Sequence, residues 1–140
     1  MNISLDLLDE VVAHAREHPK IECCGVVAVQ ASPDGSQKRA VRVYRATNIH
    51  ASALKFEIDP QELYDLSRAI EAQGWEIGAI YHSHVRSEPY PSQTDINFAA
   101  RWPDVEWIIV GLASGDAPEV RSYLIEGQDV RRVRLGETDS

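Results

Sequence analysis

The stretch Trp75–His84, WEIGAIYHSH, runs directly toward SEPYPS at Ser87–Ser92. The first segment reads as a central strand, apolar along most of its length. The second breaks it, because Pro89 and Pro91 cannot donate to a strand ladder. Whatever stands at the end of the first segment therefore stands at the carboxyl end of a buried strand. What stands there is His82 and His84. In a strand, side chains two apart point the same way, so both imidazoles face one side while Ser83 faces the other.

The elements around this strand exclude an all-β chain. Ser4 is placed to cap a helix whose stripe is Leu7, Leu8, Val11, Val12 and Ala15, ending near Pro19. CGVVAVQA (Cys24–Ala31) reads as a buried strand. SPDGS is a turn, and the alternating KRAVRVYRA that follows completes a hairpin. NIHASALKFEI is loop-like and then extended, with Asn48 expected to cap the loop. Asp59-Pro60-Gln61-Glu62 opens a second helix, buried through Leu63, Leu66, Ala69 and Ile70 and stopped by Gly74. SQTDINFAAR reads as a short helix, VEWIIVGLA as a buried strand, and EVRSYLIEGQDVRRVRL as a hairpin turning at Gly127. The order α-β-β-α-β-α-β-β-β predicts a mixed α/β sandwich, a mixed sheet flanked by helices. A chain of 140 residues fits one domain. We expect it over residues 1–135, with a frayed tail at 136–140.

Charge and cysteine content narrow the function classes. A net charge of −8 disfavours nucleic acid and anionic membranes as partners. No apolar run is long enough to span a bilayer, and the first residues lack the pattern of a signal peptide. The two cysteines, Cys23 and Cys24, are adjacent, so no disulfide framework can form and a cytoplasmic location is expected. Cys24 reads as a small buried hydrophobe, and neither thiol is given a catalytic role. His14, His18 and His50 have no partner spacing and read as surface or locally hydrogen-bonded residues.

Two imidazoles on one strand face are half of a zinc site. Asp95, in the first turn of the following helix, could fold back as an oxygen ligand. Three protein ligands would leave one position open, the pattern of a catalytic site. Helix capping competes with this reading: Ser92 and Asp95 also fit a capping box, which needs no metal. Spacing alone leaves both open. Two other His-x-His patterns fit poorly. The metallo-β-lactamase pattern wants aspartate and histidine where Arg86 and Ser87 stand. The cupin pattern admits Glu88 but wants glycines where Glu76 and Asp95 stand.

The motif as a whole, His82-x-His84, seven residues, Ser92, two residues, Asp95, resembles the signature of the JAMM metallopeptidases, the catalytic members of the MPN/JAB family. IECCGVV supplies the family's upstream glutamate, Glu22, with Cys24-Gly25 behind it. The similarity covers nearly the whole chain. One position departs: Pro19 stands three residues before Glu22, where the family places a proline two before.

The resemblance implies a cytidine-deaminase-like fold and a zinc hydrolase. His82, His84 and Asp95 would bind one Zn²⁺ per chain. Glu22 would serve as general base and then acid. Ser92 would hydrogen-bond the tetrahedral oxyanion. Ser83 would be a spacer. The implied partner is a small ubiquitin-like sulfur-carrier protein, reached through its Gly-Gly tail, and a homodimer is left open. IYHSHVRSEPYPSQTDINFA and VRSYLI are most similar to bacterial members that release cysteine from such a carrier. The alternatives are trimming of a carrier's C-terminus, general isopeptidase action, or a non-catalytic MPN scaffold. The scaffold forms typically lack the metal ligands, whereas the full set is present here.

Overall fold

A computed structural model describes residues 1–113 and 117–138. The elements are β1 (Asn2–Ser4), α1 (Leu5–Glu17), β2 (Cys24–Ala31), β3 (Lys38–Ala46), α2 (Pro60–Ala72), β4 (Glu76–His84), α3 (Gln93–Ala99), β5 (Glu106–Gly111), β6 (Glu119–Glu126), β7 (Asp129–Val133) and β8 (Gly136–Thr138). All eight strands join one sheet in the order β7-β6-β5-β4-β2-β3-β1-β8. The mixed α/β architecture is as the sequence implies.

Local signals account for the boundaries. Ser4 caps α1, its hydroxyl accepting from Leu7 N–H. Asp59 caps α2 ahead of Pro60, and Gly74 leaves it at φ +77°. Gly127 turns the β6–β7 hairpin at φ +61°, a conformation glycine adopts at no steric cost.

The sheet is covered on both faces. Val11 and Ala15 of α1 pack with Val27, Val29, Tyr81, Ile108 and Val110 on one face. Ile70 of α2 and Ala99 of α3, with Phe56, pack with Val26, Ile80, Trp107 and Ile109 on the other. β4 lies at the centre, antiparallel to β2 and parallel to β5. β4 and β5 are parallel neighbours joined through α3, so the chain leaving the carboxyl end of β4 turns directly into α3. Gly25 matters here: a Cβ at this position would collide with the Tyr81 ring, so glycine lets that ring lie across β2.

Three expectations need correction. The order omits β1 and β8: residues 136–138, assigned to a frayed tail, form β8 by pairing in parallel with β1, while 139 and 140 lie outside the described residues. β1 offers an open edge, and pairing satisfies its backbone groups. Ala69 is exposed rather than packed, because α2 meets the sheet through Leu63, Leu66 and Ile70. His14 is not a surface or local group. It is buried, and its Nδ1 lies 2.6 Å from the Tyr81 hydroxyl, 67 residues away. His50 does bond locally, to Glu57 at 2.9 Å.

Candidate metal centre and groove

β4 delivers His82 and His84 to the α2/α3 face of the sheet, both buried. β2 pairs Cys24 with His82, and Ser83 N–H donates to the Cys23 carbonyl at 3.1 Å. The strand's approach thus sets Glu22 beside His84. From the other side, α3 presents Asp95 in its first turn. Four residues separated by as many as 73 positions meet at one strand end.

Their atoms converge. His82 Nε2 and His84 Nε2 stand 3.1 Å apart, and Asp95 Oδ2 lies 3.1 Å from the first and 3.3 Å from the second. Three donors at 2.0–2.1 Å from a common tetrahedral centre would stand about 3.3 Å from one another. The triangle therefore fits zinc. A Glu22 carboxylate oxygen also joins both imidazoles in a set spanning no more than 4.8 Å, so two carboxylates approach the same pair. They differ in their supports. Asp95 Oδ2 accepts Ser92 N–H at 2.9 Å and is held in place. Glu22 Oε1 is buried and has no hydrogen-bond partner. Asp95 is thus the carboxylate fixed beside the imidazoles, and Glu22 the one with an oxygen left unbonded.

The electrostatics divide the same way. Burial pushes the Glu22 carboxyl up to about 8, with the Asp95 charge adding and His84 opposing. Burial also works against the Asp95 carboxylate. The His82 charge, hydrogen bonds from both imidazoles and the Ser92 N–H outweigh it and hold Asp95 well below the usual carboxylate range. Complete burial lowers His82 against the pull of Asp95. Burial would lower His84 too, but bonds to Asp95 and to the Glu88 carbonyl raise it. The Glu88 bond, at 2.9 Å, needs a proton on His84 Nδ1, so Nε2 is the nitrogen that would give up its proton to Asp95 or to a cation at the shared centre. The loop making this bond is pinned in turn. The Tyr123 hydroxyl donates to the Pro89 carbonyl at 2.8 Å, and a Cβ at Gly111 would stand 2.8 Å from the Pro89 ring.

Ser92 occupies the cap. Its hydroxyl accepts Asp95 N–H at 3.1 Å while its own N–H serves the Asp95 carboxylate. The capping box and the convergence on the imidazoles coexist, so the two readings of Asp95 are not exclusive. Burial pushes Cys23 and Cys24 up to about 11 and 12, which keeps both as neutral thiols. Phe56 stacks on His82 with ring centroids 4.3 Å apart. Neither this contact nor the Glu88 carbonyl carries a sequence signal.

A groove of about 480 Å³ runs from Asp95 between the 50–57 segment and α3, lined by Phe56, Phe98, Lys55 and Arg101 among others. Among the described residues, no helix is long and apolar enough to cross a membrane.

The family described as prokaryotic homologs of the JAB domain matches residues 4–126. The CysO-cysteine peptidase of Mycobacterium tuberculosis is 37% identical over 123 residues, covering 88% of this chain and 81% of that one. A probable TtuB-protein conjugate cleaving protease of Thermus thermophilus is 37% identical over 132 residues, covering 92% and 79%. The crystal structure of AF2198, a JAB1/MPN domain protein from Archaeoglobus fulgidus, superposes with a TM-score of 0.62 at 18% identity, covering 99% and 97%. That likeness establishes the fold.

Proposed function

The chain belongs to the prokaryotic homologues of the JAB domain, a hydrolase of the peptidase kind, and from that premise we propose that it is a zinc-dependent enzyme. Its substrate would be the bond at the C-terminal Gly-Gly tail of a small ubiquitin-like sulfur carrier, with a carrier–cysteine adduct as the preferred form. The observation that supports this best is the triangle of His82, His84 and Asp95 beside an unpartnered Glu22 oxygen. The names of the mycobacterial and Thermus relatives support the substrate class.

His82, His84 and Asp95 would hold the cation. When bound, it supplies Lewis acidity that polarises the scissile carbonyl and makes water a stronger acid. Glu22 accepts a proton from the attacking water. As the C–N bond breaks, it passes that proton to the departing amine nitrogen. Burial raises the Glu22 carboxyl in the metal-free protein, and the charge of a bound cation would draw it back toward the ionised form that accepts the proton. The Ser92 hydroxyl already accepts from Asp95 N–H, and its own proton is free to stabilise the oxyanion of the tetrahedral stage. The groove would take the carrier tail as an extended strand, glycines passing where side chains would clash.

The test is intact-mass analysis of a sulfur carrier extended by one cysteine beyond Gly-Gly, incubated with zinc-loaded protein. Loss of the mass of one cysteine residue is expected. Cleavage only of a carrier joined to a lysine side chain would favour the isopeptidase alternative. No cleavage of either would reject the reading.

A further inference from the structure

Asn48 is buried and uses its whole amide. Nδ2 donates to the Glu22 carbonyl at 3.0 Å and to the Lys55 carbonyl at 2.9 Å. Oδ1 accepts from His50 N–H at 3.1 Å and from Glu57 N–H at 3.2 Å. Two donors and two acceptors are all that a side-chain amide has. Three of these bonds close the Asn48–Glu57 loop, as a loop cap would. The fourth, to Glu22, spans 26 residues and is not needed for that purpose.

The same loop grips Glu22 again, for Glu22 N–H donates to the Ser52 carbonyl at 2.7 Å. Both backbone polar groups of Glu22 are thus held by one loop, while its carboxyl Oε1 has no partner. That backbone grip fixes the point from which the carboxyl reaches the two imidazoles. The loop's Lys55, Phe56 and Glu57 line the groove, and Phe56 also stacks on His82.

We propose that Asn48 is a positioning residue that holds Glu22 and the groove wall in one frame, so that a tail seated in the groove arrives aligned with the proton-carrying carboxylate. This rests on the reading of Glu22 as that carrier. Groups that orient metal ligands typically carry about 10–100-fold in activity or metal affinity, and an effect of that order is expected for one that orients the proton carrier.

Asn48→Asp keeps the acceptor half of the amide and loses the donors to Glu22 and Lys55. Asn48→Ala loses both halves. Each is compared with Glu22→Gln and wild type, all zinc-loaded, on the cysteine-extended carrier. Neither Asn48 variant touches His82, His84 or Asp95, so each should retain zinc like wild type. Asn48→Asp should lose kcat by about tenfold or more with KM within about twofold. Asn48→Ala should lose as much in kcat and also raise KM severalfold. A merely structural role would lower the melting temperature of both without separating kcat from KM. Should Asn48→Ala fail to fold, the near-isosteric Asn48→Asp still decides. Wild-type kcat in folded, zinc-loaded Asn48→Asp beside an inactive Glu22→Gln would overturn the inference alone. Full turnover by Glu22→Gln would overturn the reading beneath it, and the inference with it.

Discussion

Tyr81 and Ser83 leave β4 toward α1, while His82 and His84 leave it toward α2 and α3. All four are buried. On the α1 side both hydroxyls have partners: Tyr81 Oη and His14 Nδ1 share a hydrogen bond of 2.6 Å, and Ser83 Oγ accepts Cys23 N–H at 2.9 Å. On the other side three ligand-type atoms crowd within 3.3 Å of one another, and both Glu22 Oε1 and His82 Nδ1 lack partners. Burying an unpaired polar atom costs about 1–3 kcal/mol. The two faces of β4 are both buried, yet the polar groups gathered on one are all paired while on the other two are not. Trp107 Nε1 on the same side is also unpaired, but only at the strand end do the unpaired atoms stand beside converging ligand-type atoms, where a bound ion or a proton-transfer role accounts for them.

The most drastic way to break the contrast is to empty the unsatisfied face. His82→Ala combined with His84→Ala should take zinc, measured by atomic absorption, from about one per chain to none. Hydrolysis of the cysteine-extended carrier should fall below detection. The metal-free double variant should keep the far-UV circular dichroism of the wild type, since the α1 face is untouched. Stoichiometric zinc in the double variant would remove the assignment of the ligands.

Removing a partner from the satisfied face should do the reverse. Tyr81→Phe leaves His14 Nδ1 buried without its partner, a loss of about 1–3 kcal/mol in stability by urea denaturation. Turnover per zinc-loaded molecule should stay within about twofold of wild type. A large drop in that turnover with zinc intact would mean that the α1 face shares in the chemistry and that the contrast is false.

Legibility in the sequence follows the same division. β2, β3 and α2 could be bounded from the chain because their signals are local: an alternating pattern, a turn, and Asp59 before Pro60. His82, His84, Ser92 and Asp95 could be picked out because a strand end and the following helix turn place them in one short stretch, but spacing alone left the metal and capping readings open, and Glu22 came only through the family resemblance. Long-range pairings were not. β1 has three residues and exists by pairing with β3 and β8, more than thirty and more than a hundred positions away. The partner of His14 sits on another element, so helix spacing could not announce it. Asn48 was readable as a loop cap, but its bond to Glu22 appears only when β2 and the loop are folded together.

The two faces should also respond to pH with opposite signs. Burial, with the charges of Arg45 and His18, lowers His14 to about 4, against 6.5 for the free side chain. Between those values the unfolded chain binds more protons. The contribution of His14 is therefore complete above pH 6.5 and lost as pH falls toward 4. Glu22 runs the other way. Its folded pKa of about 8 lies above the ordinary 4.5, so the folded state binds more protons in between. Its contribution is complete below 4.5 and lost as pH rises through 8. Urea denaturation of metal-free wild type, His14→Gln and Glu22→Gln separates the two. From pH 7 to about 5.5, the stability of wild type relative to His14→Gln should fall by about 1 kcal/mol. Over the same interval its stability relative to Glu22→Gln should rise. If all three proteins gave parallel pH dependences, the opposed protonation of the two faces would be wrong, and the unsatisfied face would have to be distinguished by geometry alone.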